Sequence, residues 1–319
     1  MEEKIQAGES SVSEEAGEKR GVLYLCATPI GNLEDITLRV LRTLREASLI
    51  AAEDTRNTLK LLNRFGIRTP LTSYHEHNKY EKAAELTAAL LSGKTVALVT
   101  DAGTPCISDP GEELVKQAVE AGIRVESLPG AAACITALTV SALPARRFAF
   151  EGFLPREKKE RKAVLSSLSA ETRTIVLYEA PHHLKETLSD LFAALGERSL
   201  TICRELTKKH EEIVPLTLSE AIARYQEQDP RGEYVLVLAG RDPKELMEEK
   251  QEAFSVNAAR PVSSLEETAS DEYVDYLAYE LLTALAGRSY IAPPPAAVIS
   301  QLRHQEDSAE SLRRGDVGT

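Results

Sequence analysis

The sequence predicts an α/β protein of two α/β domains, the first built on a mostly parallel sheet covered on both faces. Three observations predict it. Short apolar runs alternate with stretches of helical spacing between residues 21 and 145. Polar residues, glycines and prolines gather where each apolar run ends, at the carboxyl ends of the expected strands. After Ala142 the texture changes, and Phe148-Ala149-Phe150-Glu151-Gly152-Phe153-Leu154-Pro155 reads as an aromatic, extended linker into a second domain. The expected layout is a disordered acidic tail over 1–20, an N-terminal domain over 21–145, a C-terminal domain over 146–240, and an acidic, partly helical or disordered extension over 241–319.

Taken in order, Gly21 to Cys26 is the first strand. The loop Ala27 to Thr37 follows, then a helix with Leu38, Leu41 and Leu44 on one face. Ser48 to Ala52 is a second strand that delivers Glu53-Asp54-Thr55-Arg56 ahead of a helix from Thr58 to Phe65. The stretch Thr72 to Asn78 ends a third strand, and a helix runs from Lys79 to Leu91. Thr95 to Val99 is a buried strand. Asp109-Pro110 supplies an N-cap acid and a first-turn proline for a helix over Glu112 to Ala121. Arg124 to Leu128 is the fifth strand, and the small residues after Pro129-Gly130 let a helix N-terminus pack closely.

Beyond the linker come a basic helix (Glu157 to Leu168), a strand (Thr174 to Tyr178) and the loop Glu179 to His183. A helix to Leu195, a strand from Ser199 to Arg204, the loop Glu205 to His210 and a helix ending at Tyr225 follow. The run Gly232 to Leu238 alternates too little to be half-exposed, so the strand Glu233 to Ala239 is expected at the centre of its sheet. Glu266 to Leu285 has helical spacing, and 286–319, with Pro293-Pro294-Pro295, reads as a tail.

Composition narrows the function classes. The longest apolar run, Ala131 to Leu143, is broken by threonine and serine and is too short to span a bilayer. The acidic N-terminus lacks the apolar core of a signal peptide. Four scattered cysteines (Cys26, Cys106, Cys134, Cys203) form no C-x-x-C pair, which fits small core residues in a reducing cytoplasm and no metal site. The net charge of −12 disfavours a polyanion partner, yet the excess acid lies at the two ends of the chain. The middle is nearly neutral and holds a basic run, Arg156, Lys158, Lys159, Arg161 and Lys162, and local patches decide phosphate binding.

The most informative stretch is Thr100 to Gly111, which joins the buried strand to its helix. Gly103 there permits φ > 0 or close approach to a ligand. One such loop is a plain connection as often as a site; four with polar residues at strand ends favour one shared crevice.

Four motifs, Thr28-Pro29-Ile30-Gly31-Asn32-Leu33-Glu34-Asp35-Ile36-Thr37, Ala52-Glu53-Asp54-Thr55-Arg56, Thr100 to Gly111 and Glu151-Gly152-Phe153-Leu154-Pro155, occur in order. Leu128-Pro129-Gly130 and Arg204-Glu205-Leu206-Thr207-Lys208 accompany them. On these the chain, over about 21–240, resembles the bacterial small-subunit (16S) ribosomal RNA methyltransferases of the tetrapyrrole methylase superfamily, which act on the ribose 2′-O of a decoding-centre cytidine. The resemblance implies two α/β domains with S-adenosylmethionine in the cleft between them, a homodimer, and ribosomal RNA or an assembled small subunit as partner. It also implies donor contacts at Pro29, Asp101, Ala102, Gly103, Thr104, Pro105, Ser108, Pro129, Gly130, Phe153, Leu154, Tyr178 and Glu179. The family's lysine-rich helical end is not matched: no lysine occurs after Lys250, so this end is divergent or reads out of frame.

Methyl transfer to an alcohol needs two positioned partners and a proton acceptor. Glu53, Asp54, His75 and Glu205 are candidates, each at a strand end. Glu53 and Asp54 equally suit capping of the next helix, and His75 with His77 suits a polar surface loop better than a catalytic role. Arg56, Lys208 and the run Arg156 to Lys162 are candidate phosphate contacts, and Asn78 a contact to ribose or base. The basic run also fits a solvated helix face. His182-His183 has no third ligand nearby and reads as a cap region. Two other functions fit the same fold: methylation of a tetrapyrrole, against which the first loop lacks a glycine-rich G-x-G-P-G-D form, and a ribosome-binding protein without catalysis.

Overall fold

Five short apolar runs in the first half become five parallel strands. They are β1 (Val22–Cys26), β2 (Leu49–Ala52), β3 (Leu71–Ser73), β4 (Val96–Val99) and β5 (Arg124–Leu128), in the order β3-β2-β4-β1-β5. The structure is a computed structural model and describes residues 20–248. The acidic residues 1–19 and the expected helix and tail beyond 248 lie outside the described residues. Between the strands run α1 (Leu38–Glu46), α2 (Thr55–Arg64), α3 (Lys79–Leu91) and α4 (Glu112–Glu120), with α5 (Ala133–Val140) after β5.

Successive strand residues point to opposite faces, so each strand feeds two cores. Ile50, Ala52, Ala97 and Val99 pack with Val40, Leu41 and Leu44 of α1 and Leu62 of α2. Ala51, Val96 and Leu98 pack with Ala83, Leu86 and Leu90 of α3 and Leu114 and Ala118 of α4. Every residue of β4 is buried, as a central parallel strand requires.

The second half builds β6 (Phe148–Phe153), α6 (Lys158–Leu168), β7 (Thr174–Glu179), α7 (Leu184–Leu195), β8 (Ser199–Arg204), β9 (Glu212–Thr217), α8 (Leu218–Glu227) and β10 (Tyr234–Leu238). The sheet order is β6-β7-β10-β8-β9, parallel only between β6 and β7. β10 is central and wholly buried, as its weak alternation predicts. Helices α6, α7 and α8 cover one face through Leu165, Leu188, Leu191, Leu218 and Tyr225. The other face is covered by α5, which comes from the first half: Cys134, Ala137 and Leu138 pack on Val176, Cys203, Val235 and Val237. From residue 20 to Met247 the chain packs as one compact unit. Among the described residues no helix is long and apolar enough to cross a membrane.

Several local expectations change. Phe148 to Phe153 is a strand paired with β7 and bulged between Phe150 and Gly152, rather than a linker. Leu38 is 85% exposed, because at 100° per residue it lies roughly 140° round α1 from the buried face. Arg20 belongs to the fold: its Nη1 donates to Ala121 O at 2.8 Å and Gly122 O at 3.2 Å. Three cysteines are buried, but Cys106 is only partly so, at a φ of 71°. Helix α2 starts at Thr55, with Asp54 as N-cap.

Asp109 is not the N-cap of α4. Gly111 holds that position with no side-chain cap bond. The Tyr74 hydroxyl serves instead, accepting from Leu114 N–H at 3.2 Å from a ring that is 1% exposed. Burial pushes that hydroxyl's pKa up to about 12, so it stays a neutral acceptor. Tyr74→Phe should therefore cost about 1–2 kcal/mol by leaving a helix-end N–H unpaired. Urea unfolding measures it; a change within error would show that water replaces the hydroxyl.

Candidate functional site

The chain leaves β1 towards β2, on one side of β4, and leaves β4 towards β5, on the other side of β1. The winding direction therefore reverses between β1 and β4, and a crevice opens beyond their carboxyl ends. The loops 27–37 and 100–111 meet there. Thr28 N–H donates to Gly103 O at 2.8 Å, and Gly103 N–H to Thr28 O at 3.0 Å. Thr28 Oγ1 donates to Thr100 O at 3.1 Å, and Thr104 Oγ1 to Ala131 O at 2.9 Å. Gly103 takes φ = 91°. A Cβ there would meet Ile30 Cγ2 at 3.4 Å and Ala131 O at 3.7 Å, ordinary contact distances, so the glycine is needed for its backbone angle rather than for want of space.

The second half closes the crevice into a cleft of about 370 Å³. Asp101 to Thr104, Ser108 and Asp109 line it from the first half. Phe153, Tyr178, Glu179, Leu206 and Val235 line it from the second. Two glycines let the halves approach. A Cβ on Gly31 would lie 2.5 Å from Lys208 Cγ and 2.8 Å from Leu206 O, and one on Gly152 would lie 2.7 Å from Ser108 Oγ. Cys134 N–H at the start of α5 donates to the Tyr178 hydroxyl at 3.1 Å, and burial raises that phenol's pKa.

Carboxylates crowd one end of the cleft. Glu53 Oε2 accepts from Thr100 Oγ1 at 2.6 Å and from Asp101 N–H at 3.3 Å. The Asp101 carboxylate accepts from Asp54 N–H at 3.2 Å and Asn57 Nδ2 at 3.0 Å. The Asp109 carboxyl is pushed up to about 6 by burial first and then by the charge of Glu53. Apolar walls with negative charge at one end suit a ligand with an apolar ring and a cationic centre.

Of the donor contacts expected from the sequence, Asp101, Ala102, Gly103, Thr104, Ser108, Phe153, Tyr178 and Glu179 line this cleft. Pro105 is buried under the loop, and Pro129 and Gly130 are exposed outside the cleft. Gly130 instead lets β5's end pass Ala27, whose Cβ is 2.6 Å from where its own would stand. Leu154 is buried in the second core and touches a separate cleft beside Arg156 and His183. Pro29 lines a neighbouring cleft with α2. Sequence reasoning missed Ile30, Ile107, Asp109, Leu206, Val235 and Ala180. Only Asp109 carried a signal, and it was read as a cap.

The acid–base candidates separate. Glu53 belongs to the carboxylate cluster. Asp54 accepts from Arg56 N–H at 2.8 Å and holds the Arg56 guanidinium at 2.6 Å, which keeps its carboxyl down at about 2. His75 and Asn78 form one turn outside the cleft: His75 N–H donates to Asn78 Oδ1 at 2.8 Å, and Asn78 Nδ2 to Ser73 O at 3.3 Å. Glu205 is held below the usual carboxylate range by Lys208 Nζ at 2.8 Å and accepts from Glu233 N–H at 3.0 Å.

Among the candidate phosphate contacts, Lys208 is shared between Glu205 and Glu233, the latter at 2.9 Å. Arg161 is tied to Asp190 at 2.7 Å and Thr187 at 2.9 Å, so it serves packing. Arg56, Arg156, Lys158, Lys159 and Lys162 are exposed.

A family model described as Tetrapyrrole (Corrin/Porphyrin) Methylases matches residues 22–222. The chain is 53% identical over 225 residues to "Ribosomal RNA small subunit methyltransferase I" of Halalkalibacterium halodurans, covering 70% of this chain and 78% of that protein. It is 55% identical over 226 residues to the protein of that name in Synechocystis sp., covering 70% and 81%. Diphthine synthase shares the fold with a TM-score of 0.54 at 15% identity, over 69% of this chain and 90% of that one.

The Asp109 pKa has a consequence for stability. Its value of about 6 stands above the ordinary 3.8, so the folded state holds this proton more tightly than the unfolded chain. The stability it contributes is full below the unfolded value and is lost as pH rises through about 6. Asp109→Asn should thus stabilise the protein by about 1 kcal/mol at roughly pH 8, after allowance for partial exposure, with the gain vanishing near pH 4. Thermal melts across pH test this, and an equal effect at both ends would refute it.

Proposed function

Since the chain belongs to the tetrapyrrole methylase family, we propose that it methylates the ribose 2′-hydroxyl of a cytidine in the decoding centre of small-subunit ribosomal RNA. It is an S-adenosylmethionine-dependent methyltransferase of ribosomal RNA. Identity above one half, over 225 and 226 residues, to relatives named as small-subunit ribosomal RNA methyltransferases carries the reading. In this reading 21–145 and 146–240 are its two domains, it works as a homodimer, and it is cytoplasmic.

The cleft fits the methyl donor. Asp101 and Asp109 in the wall, with Glu53 behind Thr100, supply negative charge from the first half, and Ile30, Ile107 and Val235 supply apolar wall for an adenine ring. When bound, S-adenosylmethionine supplies a methyl group activated by a sulfonium. The chain's own part is to hold the acceptor hydroxyl in line and take its proton. Of the four candidates first considered, Asp54 and Glu205 are ion-paired, and His75 is outside the cleft. Asp109 is the better acceptor: it faces the cleft, and its raised pKa of about 6 makes its carboxylate a stronger base than an ordinary one. Thr100 donates its hydroxyl proton to Glu53 and so fixes the group whose charge acts on Asp109.

Incubation of the protein with labelled donor and small subunits lacking the modification should give a single ribose-methylated cytidine on nucleoside mapping. A base-methylated product would overturn the reading, and subunit binding without transfer would favour a non-catalytic ribosome-binding protein. Asp109→Asn should lower kcat by about 10²-fold or more. The wild-type kcat/KM should fall as pH drops through about 6, where Asp109 gains a proton, and the variant should lose that limb. A variant with wild-type kcat would return the role to Glu53.

A further inference from the structure

A second cleft, of about 270 Å³, lies beside the first. Its walls are the loop residues Thr28, Pro29 and Leu33, the α2 residues Asn57, Thr58, Lys60 and Leu61, and Thr100 with Asp101. Asp101 lines both clefts, so one side chain stands between them. Thr100, also in the second wall, donates to Glu53, whose charge acts on the Asp109 carboxyl of the first. The two spaces therefore adjoin at the carboxylate cluster.

We propose that this second cleft receives the methyl-accepting nucleotide of the RNA strand, with its ribose at the Thr100–Asp101 wall and its phosphate at Lys60. This rests on the ribosomal RNA methyltransferase reading and adds where the acceptor binds.

Three features of the cleft support it. Leu33 is 44% exposed at its mouth and, with Pro29 and Leu61, offers apolar surface on which a pyrimidine can lie. Lys60 is exposed and has no carboxylate partner among the described residues, unlike Lys208 and Arg56. Its Nζ donates to Asn57 Oδ1 at 3.2 Å, and Asn57 Nδ2 donates to Asp101 at 3.0 Å. That chain sets a cation at one end of the cleft and a hydroxyl acceptor at the other, the order in which a nucleotide presents phosphate and ribose. Asp101 is a positioning residue here; the proton goes to the carboxylate behind it. Pro29, expected from the sequence to touch the donor, faces the acceptor instead.

The test uses the full-length protein with Lys60→Glu and Leu33→Asp, both at exposed positions, and Lys116→Glu on α4 as a charge-matched control. Affinity for unmethylated small subunits is measured without donor by sedimentation across salt. Donor affinity is measured by calorimetry, and KM and kcat by methyl transfer. Lys60→Glu should weaken subunit binding and raise KM by about tenfold, and reduce the salt slope by about one ion. Leu33→Asp should raise KM without changing the slope. Donor affinity should stay within about twofold for both, and the control should match wild type. Unchanged subunit affinity and KM in both variants, with an active wild type, would overturn this placement alone. A wild type that neither binds nor methylates subunits would overturn the RNA reading, and this placement with it. A loss of donor affinity equal to the loss of transfer would show instead that the second cleft is an annex of the first.

Discussion

The site depends on α5 leaving the sheet that precedes it. Cys134, Ala137 and Leu138 are spent on the face of the second sheet that its own helices do not cover. Without that packing, Val176, Val235 and Val237 would stand in water, at about 25 cal/mol for each Å² of apolar surface. The same packing brings the carboxyl ends of β1 and β4 against Tyr178, Leu206 and Val235. A cleft between two sheets is thus a by-product of completing one core. The small residues Ala132 and Ala133 and the glycines at 31 and 152 make the approach close enough to count.

Against that rigid frame, the crowding of Glu53, Asp101 and Asp109 is costly. Burial first, and then the nearby charge of Glu53, raises the pKa of Asp109. Thr100 and Asn57 offset part of the cost by donating into the cluster. A cation arriving there relieves the remainder, so unfavourable electrostatics in the free protein become differential affinity for a charged ligand. Elsewhere the acids are satisfied: Asp54 by Arg56, Glu205 by Lys208, and Glu171 by Arg173 at 2.6 Å.

Much of this was legible in the sequence because the period of two and the carboxyl-end loops are local signals. β5, β8 and α3 fall where their patterns place them, and the central position of β10 followed from its unbroken apolar run. What escaped was non-local. Asp109-Pro110 has the look of a cap, but the helix end is served by Tyr74, a residue on another loop. Phe148 to Phe153 reads as a linker because an edge strand carrying a bulge has no clean alternation. Leu206 and Val235 wall the cleft without any mark to separate them from core residues. Lys208 and Arg161 look like free cations in a string of letters, and only their folded neighbours show them taken.

Arg20 grips Ala121 and Gly122, and Gly21 N–H reaches Leu90 O at 2.8 Å, both at the amino edge of the first sheet. The clefts open at the carboxyl edge. Residue 20 therefore stands at the pole remote from the catalytic mouth. A purification handle or an attachment to a solid support placed there would leave that mouth facing a particle as bulky as a ribosomal subunit.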